Sequence, residues 1–449
     1  MKEAKDIDDS LEFLRSFEKY ASETELGELV LQRLDHRGKN LNLQGNRFTE
    51  SDFQKLFSIE PLKHIQLMNL SGTGMTSNGI KLLCISKWLK SLKILSLSNN
   101  NLDDEGIFFL SKATCLPSLT SINLSSNEIG ALGTKALSLS TSLSNIDSLD
   151  LSYNRIESLG IHSLLKSDFG QGLKVLKLCD TCLGNEGAKE FARYSLKKLE
   201  FLDLSENSIS EIGMETLAQS KAFPKLKQLV LNNNHIGDDG IYELSQSAML
   251  NNLEALFLVN NGLTTDSAIS ISKSSILNKL KFLDFNNNDI RAEGTKALSE
   301  SPNLDSLQSL DLGQNGLGPK GAKALSESSN MKSLKFLRLN NNNIGDAGMT
   351  ALAKSKYFGA LEHLLLENEN WIHAQGAKSL ASSTAFPLLR QLVLTLNEIG
   401  DDGAFHLAEA KNFKALEQLN VAGNKISPRG EDAIRNSPNL QHLKILELV

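Results

Sequence analysis

Two cysteines three residues apart, Cys179 and Cys182 in the stretch LCDTCLG, form the sharpest chemical spacing in the chain. A CxxC pair can run thiol–disulfide exchange when it opens a helix, or supply half of a zinc site when a second pair follows. Here the pair straddles a turn position and the sequence contains no second CxxC, so the favoured reading is structural. The eight histidines are dispersed. His363 and His373 share one stretch but fall on opposite sides of a turn, and no metal site is expected of them. No HExxH, GxSxG, Walker loop or GxGxxG occurs. The chain is therefore expected to be no enzyme, with no catalytic residues, no cofactor and no metal.

Composition narrows the classes further. The 449 residues carry a net charge of -6, which argues against a phosphate-binding surface and hence against a nucleic-acid partner. The opening MKEAKDIDDS lacks the apolar core of a secretory signal, and no apolar run nears the roughly 18 residues of a membrane span. Four cysteines do not make a disulfide framework, so a reducing, cytoplasmic compartment is the default expectation.

The elements that position side chains come from a repeat. The template L-x-x-L-x-L-x-x-N-x-I-x-x-x-G-x-x-x-L recurs along the chain. Its asparagine position falls at residues 46, 73, 100, 127, 154, 181, 207, 234, 261, 288, 315, 342, 370, 397 and 424, as Asn except at Thr73 and Thr181. The step is 27 residues, apart from one of 26 and one of 28. In LKFLRL, Leu337 and Leu339 alternate with Phe336 and Arg338, the period of a strand with one buried face. Asn342 should then end the strand, its amide satisfying loose backbone groups at the turn. Its asparagine neighbours read as variable surface positions. Gly348, Leu352 and Ser355 follow at steps of four and three, one side of a helix, with the glycine admitting a close approach to the sheet. On this reading Asn288→Leu costs roughly 1–3 kcal/mol, and the same change at Asn287 stays within about 0.5 kcal/mol.

No unit of this kind buries its leucines alone, so units must stack. Strands stack about 4.8 Å apart and helices about 8–10 Å, so the stack should curve with its strands inside. The template resembles that of leucine-rich repeats, and a helical 27-residue unit is similar to the ribonuclease-inhibitor-like class. That resemblance implies an α/β fold: a curved right-handed solenoid, or horseshoe, with a parallel sheet on the concave face and helices on the convex face. It also implies protein binding through the concave face. Relatives of that class include ribonuclease inhibitor and the Ran GTPase-activating protein, and similar repeats occur in effectors secreted by intracellular bacteria, whose Asn- and Lys-rich, tryptophan-poor style this chain resembles. Two functions are thus carried forward. One is a non-enzymatic, monomeric scaffold for a protein partner, with export into a host cytosol as one setting. The other is a GTPase-activating or similar accessory role. Residues 1–37, with Leu11, Leu14, Phe17 and Tyr20 at helical spacing, read as an N-terminal cap, and residues 38–449 as the repeat domain of about 15 units. The closing LKILELV is half a unit, either itself the cap or a truncation.

The variable strand positions carry the candidate site. Phe201, Phe257, Phe282 and Phe336 fall on these rows within six consecutive units, with Asp203, Asp284 and Asp311 among them and Val230, Arg338 and Leu365 alongside. Exposed aromatics interleaved with charges are the make-up of a protein-binding hot spot. The plainer reading is strand propensity. The second template position alternates in sign from Lys174 to Lys444, which reads as a stabilising charge ladder. One unit is irregular: in LEHLLLENENWIHAQG, taking Asn370 as the turn residue requires an extra residue among Glu367, Asn368 and Glu369 and leaves Trp371 exposed. The alternative puts Trp371 in the isoleucine slot. The exposed reading makes Trp371 a further candidate anchor.

Overall fold

The computed structural model describes residues 24–220 and 223–448. Their contacts divide into two compact units, one reaching to Ser208 and including residues 220–226, the other formed by residues 209–219 and the chain from Lys227 onward. Leu11, Leu14, Phe17 and Tyr20 of the expected cap lie outside the described residues. Within them, a helix at Glu25–Gln32 opens on the Thr24 hydroxyl, which accepts the Gly27 N–H at 3.0 Å, and buries Val30.

Both units are α/β. In the first, strands β1 (Asn40–Asn42), β2 (Leu67–Asn69), β3 (Ile94–Ser96), β4 (Ser121–Asn123), β5 (Ser148–Asp150), β6 (Val175–Lys177) and β7 (Phe201–Asp203) pair in sequence order, all parallel. In the second, the same holds for β8 (Gln228–Val230), β9 (Ala255–Phe257), β10 (Phe282–Asp284), β11 (Ser309–Asp311), β12 (Phe336–Arg338), β13 (His363–Leu365), β14 (Gln391–Val393), β15 (Gln418–Asn420) and β16 (Ile445–Glu447). Each strand presents its outer two residues on one sheet face, and β1 to β15 bury their middle residue, as Leu283, Leu310 and Leu337 show. A helix of the type Gly237–Ser245 or Arg291–Glu300 follows each turn and closes the core from the other side.

The template asparagines form a buried polar ladder. The Asn288 Oδ1 accepts the N–H groups of Asn261 and Leu263 in the preceding repeat, both at 3.0 Å. Its Nδ2 donates to the carbonyls of Leu258 at 3.0 Å and of its own Phe285 at 2.8 Å. One side chain thus satisfies backbone groups of two successive turns, which leucine cannot do. Thr181 keeps the local half of this pattern, donating to Leu178 O at 2.8 Å.

The neighbours of the ladder are more constrained than the sequence reading held. The residue before each ladder position has a left-handed backbone throughout: Asn99, Ser126 and Tyr153, for example, lie at φ +53°, +54° and +57°, Asn287 at +55°, and Gly45, Gly72 and Gly423 supply the same conformation elsewhere. Asparagine and glycine tolerate that region best. In the run Asn340–Asn343, Asn341 (φ +56°) and Asn343 (φ +54°) are therefore there for their backbone, and Asn342 for its side chain.

Two further ladders join successive repeats. A serine after many of the helices donates to a carbonyl about one repeat earlier, as Ser355 does to Ser326 O at 2.7 Å and Ser274 to Ser245 O at 2.6 Å. An aspartate at one helix start caps the next helix: the Asp346 Oδ1 accepts the His373 and Gly376 N–H groups, each at 2.8 Å. The recurring glycine also acts differently from expectation. A Cβ on Gly294 would stand 3.0 Å from Ala268 Cβ and 3.3 Å from Thr265 Cα, so its close approach is to the preceding helix rather than to the sheet.

The strand face of the second unit as candidate functional site

Most of the candidate residues sit on the open sheet face of the second unit. Phe282 is its most exposed aromatic at 43%. Its register partners, Ala255 and Ser309, are both small, so no neighbouring strand covers the ring. Phe257, Phe336 and Val230 are half-buried on the same face. The Phe336 ring lies 6.1 Å from that of His363 and 5.5 Å from the Arg338 guanidinium. His363 in turn meets Gln391 Oε1 at 3.0 Å, and Gln391 reaches Gln418 at 3.1 Å.

Among the acidic candidates the structure separates two roles. Asp311 is buried and ion-paired, its Oδ2 accepting Arg338 Nη1 at 2.9 Å. The Arg338 Nε is itself buried without a hydrogen-bond partner. Asp284, one strand away, accepts the Asn286 N–H at 2.9 Å and has no cation within ion-pair distance among the described residues. Burial, and then the Asp311 charge, push the Asp284 carboxyl up to about 6, with the Asn286 N–H and Arg338 opposing. A folded-state value above the roughly 3.9 of an unfolded chain means that charging Asp284 opposes folding. The opposition is absent below about pH 4 and complete once the pH has risen past about 6. Asp284→Asn is thus expected to stabilise the protein at pH 7.5 by about 1–2 kcal/mol and to be neutral at pH 4, which urea titrations at the two pH values would measure.

Leu365 and Asp311 project from the same face, but at 6% exposure each their neighbours cover them, so they support the contacts there and offer little surface of their own. Trp371 stands off the strand, on the turn after β13, and is exposed. Asn370 and Ile372 beside it are fully buried, which is the register that leaves the tryptophan outside. The extra residue appears where the carbonyls of both Glu367 and Asn368 accept the Asn341 N–H, at 2.9 and 3.0 Å.

In the first unit, Phe201 and Asp203 occupy the strand face of β7. The Lys177 ammonium lies 5.9 Å from the Phe201 ring, and the Asp203 carboxylate accepts the Ser205 N–H and hydroxyl at 2.9 and 2.7 Å. Cys179 is buried and Cys182 exposed, both as free thiols. Burial pushes the Cys179 thiol up to about 12, and those of Cys84 and Cys115 to about 12 and 11, far from a reactive thiolate. Among the described residues no group of three His, Cys, Asp or Glu is arranged to hold a metal ion, and no helix is long and apolar enough to cross a membrane.

The charge alternation is realised as inter-strand pairs: Lys281 to Glu254 at 2.7 Å, Arg390 to Glu417 at 3.2 Å and Lys444 to Glu417 at 2.7 Å. Sequence reasoning missed one surface. On the helical side of the first unit Phe108, Leu132 and Leu139 are exposed around a shallow groove that Lys112 and Lys135 also line. The spacing of Leu132 and Leu139, two helical turns apart, was the available signal.

Residues 197–244 match the family model described as leucine-rich repeats in two copies. A second leucine-rich-repeat model matches residues 89–111, 115–138, 277–299, 304–326, 330–353 and 387–408. No curated protein matches the sequence. Among solved structures, the chain is similar to TLR13 in its complex with ssRNA13, at 21% identity over 94% of this chain with a TM-score of 0.53. It spans 64% of that chain, less than two thirds of its length. Also similar are the internalin InlF of Listeria monocytogenes (20% identity, 89% of this chain and 94% of that one, TM-score 0.47) and a leucine-rich-repeat protein of Leptospira interrogans (22% identity, 91% and 95%, TM-score 0.49). Such identities speak to fold alone. The 27-residue step, the strand–turn–helix unit with its asparagine ladder and the matching repeat models show that this chain is built of leucine-rich repeats.

Proposed function

We propose that the chain is a non-enzymatic scaffold that holds a protein partner on the open strand face of the second unit. Phe257, Phe282, Asp284, Phe336 and Arg338 are the central contacts, Val230 lies at one margin, and Trp371 stands on the adjoining turn. Phe201 and Asp203 make a smaller group of the same kind on the first unit. The observation that carries the reading is Phe282: a large ring, 43% exposed, at a position where the repeat needs no aromatic. Exposed aromatics among charged residues concentrate binding energy. A monomer of this design suits an effector that engages a host protein in the cytosol, and the Asn- and Lys-rich composition with two tryptophans supports that setting.

The test is capture from a eukaryotic lysate by the immobilised chain and by a Phe282→Ser/Phe336→Ser double variant. The expected result is a defined protein held by the chain and lost by the variant, with the melting midpoint of the variant little changed. Equal capture by both overturns the reading. The class-different alternative, a GTPase-activating accessory role, is separated by turnover: under the present reading the chain leaves the hydrolysis rate of a captured GTPase unchanged.

A further inference from the structure

Asp284 is a carboxylate with no cation at ion-pair distance among the described residues, beside Phe257 and two residues beyond Phe282. Its register partners are Phe257 on β9 and Asp311 on β11. Phe282 precedes it by two residues and so projects from the same sheet face. The charged groups around it are already committed. On its own strand edge, Lys281 Nζ is 2.7 Å from the carboxylate of Glu254, the charged residue that precedes β9. On β12, Arg338 is tied to Asp311 at 2.9 Å. What remains for Asp284 is a single backbone N–H, that of Asn286.

We propose that Asp284, Phe257 and Phe282 form the seat for one lysine or arginine side chain of the protein partner. The cationic head meets the Asp284 carboxylate, and the methylene stem lies along the two rings. The inference rests on the strand face being the partner surface, and it specifies the chemistry that surface reads. An opposite charge at contact distance favours the ionised carboxylate, which burial and Asp311 now disfavour. Aromatic faces attract cations and cover their apolar stems. Small residues on both sides of Phe282, Ala255 and Ser309, leave room for that stem. A metal ion fits the site poorly, because Asp311 is engaged by Arg338 and the remaining walls are aromatic. The chain's net charge of -6 also draws a basic segment toward it.

A random dodecapeptide library displayed on phage, selected against the intact chain at pH 7.5, tests this directly. Enriched sequences should carry an arginine or lysine. A synthetic peptide from the selection should lose about tenfold or more in affinity on Asp284→Asn, and equally when its arginine is replaced by citrulline. Its affinity for the unaltered chain should fall about tenfold from pH 7.5 to pH 5, as Asp284 takes up its proton, and this fall should vanish in Asp284→Asn. Peptides that lose binding on Phe282→Ser but are indifferent to Asp284→Asn and to citrulline would overturn the inference and leave the strand-face reading standing. No enrichment, or binding indifferent to Phe282→Ser, would overturn both.

Discussion

Leucine in place of Asn342 lowers the stability of the fold by roughly 3–4 kcal/mol, while glycine in place of Asn343 changes it by no more than about 0.5 kcal/mol. The two residues are adjacent, identical and embedded in the same run of four asparagines. Asn342 is fully buried. Its Nδ2 donates to Leu312 O at 2.7 Å and Asn340 O at 3.1 Å, and its Oδ1 accepts the N–H groups of Asn315 at 3.0 Å and Leu317 at 3.2 Å. Leucine keeps the branched four-atom skeleton, in larger volume, but leaves these backbone groups without partners, each at a cost of about 1–3 kcal/mol when buried. Some will find partial substitutes, which holds the total to the lower end of the sum. Asn343 is exposed at φ +54°, a conformation glycine adopts freely. Leucine at Asn343 should cost about 1 kcal/mol through that backbone alone. Urea unfolding of the three variants gives the order directly. Equal midpoints for Asn342→Leu and Asn343→Gly would remove the ladder as the element that holds successive repeats together.

This contrast also marks how far the sequence could be read. The 27-residue step, the strand period and the place of each ladder asparagine are local patterns, repeated often enough to be unambiguous. The irregular unit was legible for the same reason: Ile372 and Gly376 fit the template only if the extra residue precedes Asn370. The left-handed residues around the ladder were not legible, because Asn99, Ser126, Tyr153 and Gln314 share a backbone conformation and no side-chain chemistry. The serine and aspartate ladders escaped for another reason. Their bonds join residues such as Ser355 and Ser326, 29 apart, so the recurrence is visible in the sequence while the partner is not. On the candidate face, Asp284 and Asp311 occupy the same template position in consecutive repeats and look equivalent. Only the direction in which Arg338 leans makes one a buried ion pair and the other an unmatched charge.

Trp371 combines a left-handed backbone with an exposed ring. It has φ +52°, a region that a bulky side chain enters at a cost of order 1 kcal/mol or more, and it is 47% exposed, so burial does not offset that cost. The position after the ladder residue holds Asn343 in the preceding unit and Glu398 in the following one, so the repeat itself does not ask for tryptophan. Strain maintained without packing in return points to a contact made with something else. Trp371→Asn should therefore leave the melting midpoint unchanged or raise it slightly, since asparagine suits the left-handed backbone. The same change should weaken binding of the captured partner by about 2 kcal/mol or more, the loss typical of an interface tryptophan. Calorimetry on the free variant and titration with the partner separate the two effects. A melting midpoint that drops as for a core truncation, equivalent to about 3–5 kcal/mol, would show that the ring is held by the fold. In that case the turn after β13 would leave the binding surface, and the claim would retreat to the strand face around Phe282 and Asp284.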